Sequence, residues 1–107
     1  MKKKLKSLSK IFMALSSESR LGILMYIYDR QRCLKGKALR CQNGACIKDL
    51  AKTLNVSVPT ASHHIKELVN AGLVTTEKKG KWVYCEINRK AFGEAIRFLS
   101  RCSANKT

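Results

Sequence analysis

The sequence predicts a mainly α domain with one β-hairpin, in the order helix, helix, helix, helix, hairpin, helix. Three observations carry this. Apolar residues recur at helical spacing in five separate stretches. One short stretch alternates with period two just after a Lys-Gly turn. The two central helical stretches are joined by a link of only a few residues. The 107 residues suit a single domain, 1–107, with one core, and a 45% hydrophobic fraction suits a folded chain.

Each element has its own signal. Leu5, Leu8, Phe12 and Leu15, with Ile11 beside them, form the stripe of the first helix. Ser16 and Ser17 interrupt it and offer a cap to the second. That helix carries Leu21, Leu24, Met25 and Tyr28 on one face, widened by Ile23 and Ile27. Asp29 to Ala45 shows no apolar period, holds Gly36 and a turn signal at Asn43-Gly44, and reads as an unusually long connection. Ile47, Leu50, Ala51 and Leu54 mark a third helix, which Asn55 can end in a left-handed conformation. Ser57 is a good N-cap for the fourth, and Pro59 is tolerated in its first turn because the missing N–H has no helical partner there. Gly72 stops that helix after Ala71. Leu73 to Thr76 reads as a strand, Lys79-Gly80 as a turn, and Trp82 to Ile87 as the return strand, with Val83, Cys85 and Ile87 on one face. Ala91, Ala95, Phe98 and Leu99 suggest the last helix. Two short helices with a tight link, followed by a hairpin, make a winged helix-turn-helix.

Charge points to the partner. Lys and Arg number 22 against 7 Asp and Glu, a formal net charge of +15. So basic a balance on a small domain implies a polyanionic partner, nucleic acid first and an anionic membrane surface second. The fourth helix begins with small hydrogen-bonding residues, Ser57, Thr60, Ser62 and His63, and Lys66 follows on the same side. Such side chains suit base edges and phosphates, and a helix N-terminus favours a phosphate. Lys78, Lys79 and Lys81 at the hairpin tip are placed to reach the neighbouring backbone. No cofactor is needed for this binding.

No apolar run approaches the roughly 18 residues of a membrane span, and Leu5 to Leu15 is too broken by polar residues for a secretion signal. A cytoplasmic protein with no membrane partner is expected, its thiols reduced. Five irregularly spaced cysteines do not suggest a disulfide framework. Cys33, Cys41 and Cys46 cluster in and after the long connection among Arg30, Arg32, Lys35, Lys37, Arg40 and Lys48. Positive neighbours favour thiolate, and thiolates suit a soft metal or metalloid ion, arsenite-like, Zn or Cu(I), as an inducer. Thiol redox sensing and no sensing role are the alternatives. Cys85, between Val83 and Ile87, reads as a small core residue.

The stretch Ala14-Leu15-Ser16-Ser17-Glu18-Ser19-Arg20-Leu21-Gly22-Ile23-Leu24 resembles the opening of the ArsR/SmtB-type repressors. So do Asp49-Leu50-Ala51, Leu54-Asn55-Val56-Ser57, Ser62 to Leu68, Ala71-Gly72-Leu73-Val74 and Gly80 to Tyr84. The resemblance spans most of residues 8 to 100. It implies a homodimer built on the first and last helices, repression of transcription in the ligand-free state, and release of double-stranded operator DNA on sensing. It implies DNA contact at Ser62 and its neighbour and an inward, structural role for His64. Arsenic-sensing members carry Cys-Val-Cys-Asp-Leu where this chain has Cys46-Ile47-Lys48-Asp49-Leu50, so only the first of the two cysteines is present. The family's other sensor uses Asp, His and Glu on the last helix, and residues 89 to 107 contain no His or Asp. Cys102 is the alternative thiol, as in the family's redox and persulfide sensors.

Two other classes fit less well. A single-strand RNA binder needs an aromatic stacking surface, and only Trp82 and Tyr84 are candidates. A thiol oxidoreductase needs a Cys-x-x-Cys or a strand-turn-helix that places a cysteine at a helix N-terminus, and the sequence is read as having neither; no acid/base pair or Gly-rich phosphate loop suggests any other enzyme.

Overall fold

The computed structural model describes residues 2–34, 37–42 and 45–104. Among the described residues five helices and three strands follow one another as α1 (Lys2–Ala14), α2 (Glu18–Cys33), β1 (Leu39–Gln42), α3 (Ala45–Leu54), α4 (Val58–Asn70), β2 (Val74–Lys79), β3 (Trp82–Ile87) and α5 (Arg89–Ser103). The winged helix-turn-helix order holds. Ser17 caps α2, its side chain accepting from the Arg20 N–H. Asn55 takes a φ of 56° between α3 and α4, and Gly72 a φ of 80° after α4. Asn88 caps α5 and also donates from its side chain to the Gly72 carbonyl at 2.7 Å, tying the end of α4 to the start of α5.

The connection after Asp29 is more ordered than expected. Helix α2 continues to Cys33, and Leu39–Gln42 forms a strand that pairs antiparallel with β3. The hairpin is therefore part of a three-stranded sheet, β1-β3-β2. Four residues are too few to announce a strand by alternation, yet the pattern is there in retrospect: Leu39 and Cys41 are buried and Arg40 is exposed. The turn signal at Asn43-Gly44 and Gly36 lie outside the described residues.

The face that α2 buries also differs. Ile23, Leu24, Tyr26 and Ile27 are buried, whereas Leu21, Met25 and Tyr28 are exposed. Apolar residues surround this helix, so periodicity alone does not choose a face. Packing decides, because α2 lies against α3, α4 and β3 at once. Gly22 permits the close approach to α3: a Cβ there would stand 2.8 Å from the Leu54 side chain. The Gln31 side chain accepts from the Ile87 N–H at 2.8 Å and seats α2 on the sheet. The core joins Ile23, Ile27, Leu50, Leu68, Leu73 and Val74, while α1 packs on α5 through a tilted Phe12–Phe98 pair with centroids 5.8 Å apart.

Candidate nucleic-acid interface and the cysteine pair behind it

Helix α4 is oriented by its buried side. Ala61 and Leu68 are wholly buried and Ile65 packs against the core. Helical geometry then sends Ser62, His63 and Lys66 outward, and all three are exposed. Ser57 accepts from the Thr60 N–H at 3.2 Å and also bonds the Thr60 hydroxyl at 2.8 Å, so the cap holds both side chains at the helix N-terminus.

Glu67 is where α4 is anchored. It receives the Arg20 guanidinium at 3.0 Å, His63 Nε2 lies 3.1 Å from it, and His64 Nδ1, at 3.6 Å, stands beyond hydrogen-bond distance. Arg20 also donates to the carbonyls of Ala14 and Met13, at 2.7 and 3.1 Å. One side chain thus holds the end of α1 against α4. Sequence reading placed Arg20 only in a family-like stretch, because a partner 47 residues away leaves no local signal. His64 is three-quarters or more shielded, with only 18% of its side chain exposed, in keeping with an inward position.

The wing presents Lys78, Lys79 and Lys81, all exposed. Alternation splits the two strand lysines between faces. Lys78 stands opposite Val83 and Lys79 opposite Trp82. Lys79 lies 3.4 Å from Glu77 and over the Tyr84 ring, which partly offsets its charge. Strand β1 adds a basic residue that sequence reading did not assign to DNA: Arg40 lies over the Trp82 ring at 4.4 Å. Its place became readable only when β1 paired with β3.

Behind this surface lie the cysteines. Cys41 of β1 and Cys46 of α3 form a disulfide, with Cα atoms 5.6 Å apart, so two of the five expected thiols are joined. Sequence separation of five residues and the pairing of β1 with β3 bring them together. Cys33 ends α2 as an exposed free thiol, and Cys102 is exposed near the end of α5. Among the described residues no group of three His, Cys, Asp or Glu side chains is placed to hold a metal ion. Cys85 is half-buried, and burial, then the charge of Glu86, pushes its thiol up to about 11. Nearby, Tyr26 donates a short hydrogen bond to Asp49, and Arg30 reaches the same carboxylate at 3.2 Å while stacking on the Tyr26 ring. Burial and that bond push the Tyr26 hydroxyl up to about 12. Among the described residues no helix is long and apolar enough to cross a membrane.

The model of the bacterial regulatory proteins of the arsR family matches residues 37–76, from β1 through α4 into β2. An uncharacterised HTH-type transcriptional regulator of Bacillus subtilis is 33% identical over 91 residues, covering 83% of this chain and 91% of that protein. An arsenical resistance operon repressor of Staphylococcus aureus is 36% identical over 95 residues, covering 89% of this chain and 79% of that one. The solved structure of an ArsR-like transcriptional regulator from Rhodococcus sp. RHA1 superposes with a TM-score of 0.69 at 26% identity, over 94% of this chain and 82% of that one.

Proposed function

The chain belongs to the arsR family of bacterial regulatory proteins, and from that premise we propose that it is a cytoplasmic repressor that binds duplex operator DNA as a homodimer. The observation that carries the DNA reading is the division of α4. Its inner residues are wholly buried, while Ser62, His63 and Lys66 stand exposed behind the capped Ser57–Thr60 end. Base contacts come from Ser62 and His63, and phosphate contacts from Ser57, Thr60, Lys66 and the wing lysines Lys78, Lys79 and Lys81. Two copies joined through α1 and α5 would set half-sites about 34–36 Å apart. The test is fluorescence anisotropy on the gene's own promoter. Duplex is expected to bind far more tightly than single strand, with affinity falling steeply in salt. Equal binding to single strand would favour an RNA-type module.

The signal enters at Cys41 and Cys46. Two thiols meeting in one place suit a dithiol that closes to a disulfide, which is the chemistry the geometry favours. Release by a soft metal or metalloid ion is the second reading, favoured by similarity to the arsenical resistance repressor. The described residues do not fit a three-thiolate ion as they stand, since Cys33 is not grouped with the pair. Either signal pulls on the N-terminal end of α3, which packs behind α4. A coupling of about 1–3 kcal/mol weakens DNA binding some 5- to 150-fold. Replacing Cys41 and Cys46 by Ser is expected to leave DNA binding intact and abolish release, with arsenite, Cu(I), zinc and oxidants compared on the reduced protein. Unchanged release moves the sensor to Cys102.

A further inference from the structure

A cavity of about 200 Å3 lies between α2, the sheet and the α3–α4 pair. Ile27, Leu50, Ile65 and Val83 form walls from four different elements, and Cys41, Cys46 and Cys85 stand among them. The lining is mostly apolar: Thr76 borders it, and Tyr26 reaches it with its hydroxyl engaged by Asp49. An apolar space of roughly 150 Å3 is enough for a benzene-sized molecule. The cysteine pair therefore faces a space that favours neutral, apolar reagents over charged ones.

We infer that this cavity is the substrate site of the cysteine pair and that its substrate is a small, uncharged organic hydroperoxide. The inference rests on the dithiol reading above. Hydrogen peroxide loses hydration at both ends on entering such a space and gains no apolar contact. An alkyl or aryl hydroperoxide gains roughly fourfold in occupancy for each methylene it buries. Cys46 is the attacking thiol. It is the second residue of α3, where the amide N–H groups and the helix dipole favour thiolate. Its Sγ attacks the terminal oxygen of the hydroperoxide and the O–O bond breaks. The alkoxide leaves, takes a proton and departs as the alcohol, and Cys46 becomes a sulfenic acid. Cys41 then attacks Cys46 Sγ. The hydroxide expelled takes the Cys41 proton and leaves as water. Two thiols and one hydroperoxide thus give one disulfide, one alcohol and one water. Cys85, held as a thiol by burial, is a bystander. The new bond ties β1 to α3 across a cavity whose wall includes Ile65 of the reading helix.

The test uses the full chain, reduced with dithiothreitol and freed of it. Disulfide formation between Cys41 and Cys46 is followed by alkylation and peptide mass spectrometry, and DNA release by anisotropy. Cumene hydroperoxide is expected to close the pair at least about tenfold faster than hydrogen peroxide at equal concentration. Saturating toluene is expected to slow cumene hydroperoxide and leave hydrogen peroxide unaffected. Val83→Phe, which fills the cavity, is expected to erase the difference in the same way; the toluene measurement decides if that variant does not fold. Equal rates for the two oxidants, or a preference that toluene does not touch, overturn the inference while leaving the dithiol reading standing. No disulfide with any oxidant, diamide included, overturns both.

Discussion

Between α3 and α4 the apolar residues are covered within one chain: Leu50 is 2% exposed, and Ala61 and Leu68 are 0% exposed. Between α1 and α5 the same kind of residue stays open, with Leu5 56%, Ile96 61% and Leu99 52% exposed beside a formed Phe12–Phe98 contact. Both pairs are amphipathic helices that touch one another. They differ in what lies behind them. The α3–α4 pair is backed by α2 and the sheet, so its central apolar side chains find partners, though Val58 at the start of α4 stays exposed. The α1–α5 pair has its outer side uncovered. The first pair is a finished unit that can present a rigid polar surface. In the proposed homodimer a second copy would cover the other pair, since several large apolar residues exposed together are the mark of an interaction surface.

The strongest way to break this contrast is to charge the open pair. Leu99→Glu is expected to give a folded monomer in sedimentation, with operator affinity lower by about 100-fold or more because the second half-site no longer binds intramolecularly. A dimer that survives this change lies elsewhere. The converse change strikes the closed pair. Leu68→Ala removes a wholly buried side chain and is expected to cost about 2–5 kcal/mol in denaturant unfolding. A cost well under that range would mean that the α3–α4 packing is looser than its burial indicates. Ser62→Ala or His63→Ala sharpens the contrast from the polar side. Each is expected to weaken specific binding by about 1–3 kcal/mol, while unfolding shifts by no more than about 1 kcal/mol, the limit for the exposed His63–Glu67 contact. Wild-type affinity in both would remove α4 as the reader. The smallest effect belongs to the wing. Neutralising Lys79 and Lys81 together is expected to lower the salt slope by about 2, with all sequences affected alike. Because Lys79 already has Glu77 and Tyr84 beside it, a smaller change would assign its charge to that local contact.

Much of the fold was legible because its signals are local. The helix caps at Ser17 and Ser57, the left-handed Asn55 and the stop at Gly72 depend on residues within a few positions, and each is found where its chemistry requires. Helix α4 was legible for the same reason, since its polar and apolar faces repeat with the helical period. Strand β1 was not legible. Four residues give two apolar positions, too few to distinguish alternation from chance, and the strand exists because β3 offers it an edge. Arg20 and Arg40 were missed as working residues because their partners, Glu67 and Trp82, are distant in sequence.

By itself, the sequence determined what is periodic, capped or charged: five helices, a hairpin, a polar helix end and a surplus of 15 positive charges. Tertiary structure alone decided which face of α2 is buried. Apolar residues surround that helix, and only contact with α3, α4 and β3 selects Ile23, Leu24, Tyr26 and Ile27 over Leu21, Met25 and Tyr28. Tertiary structure alone also placed Cys41 and Cys46, five residues apart in the sequence, on one cavity with the distant Cys85. The physical reason is the same in each case. Local backbone preferences are written in neighbouring residues, whereas burial and proximity are properties of the packed chain, in which the third dimension joins side chains that the sequence keeps apart.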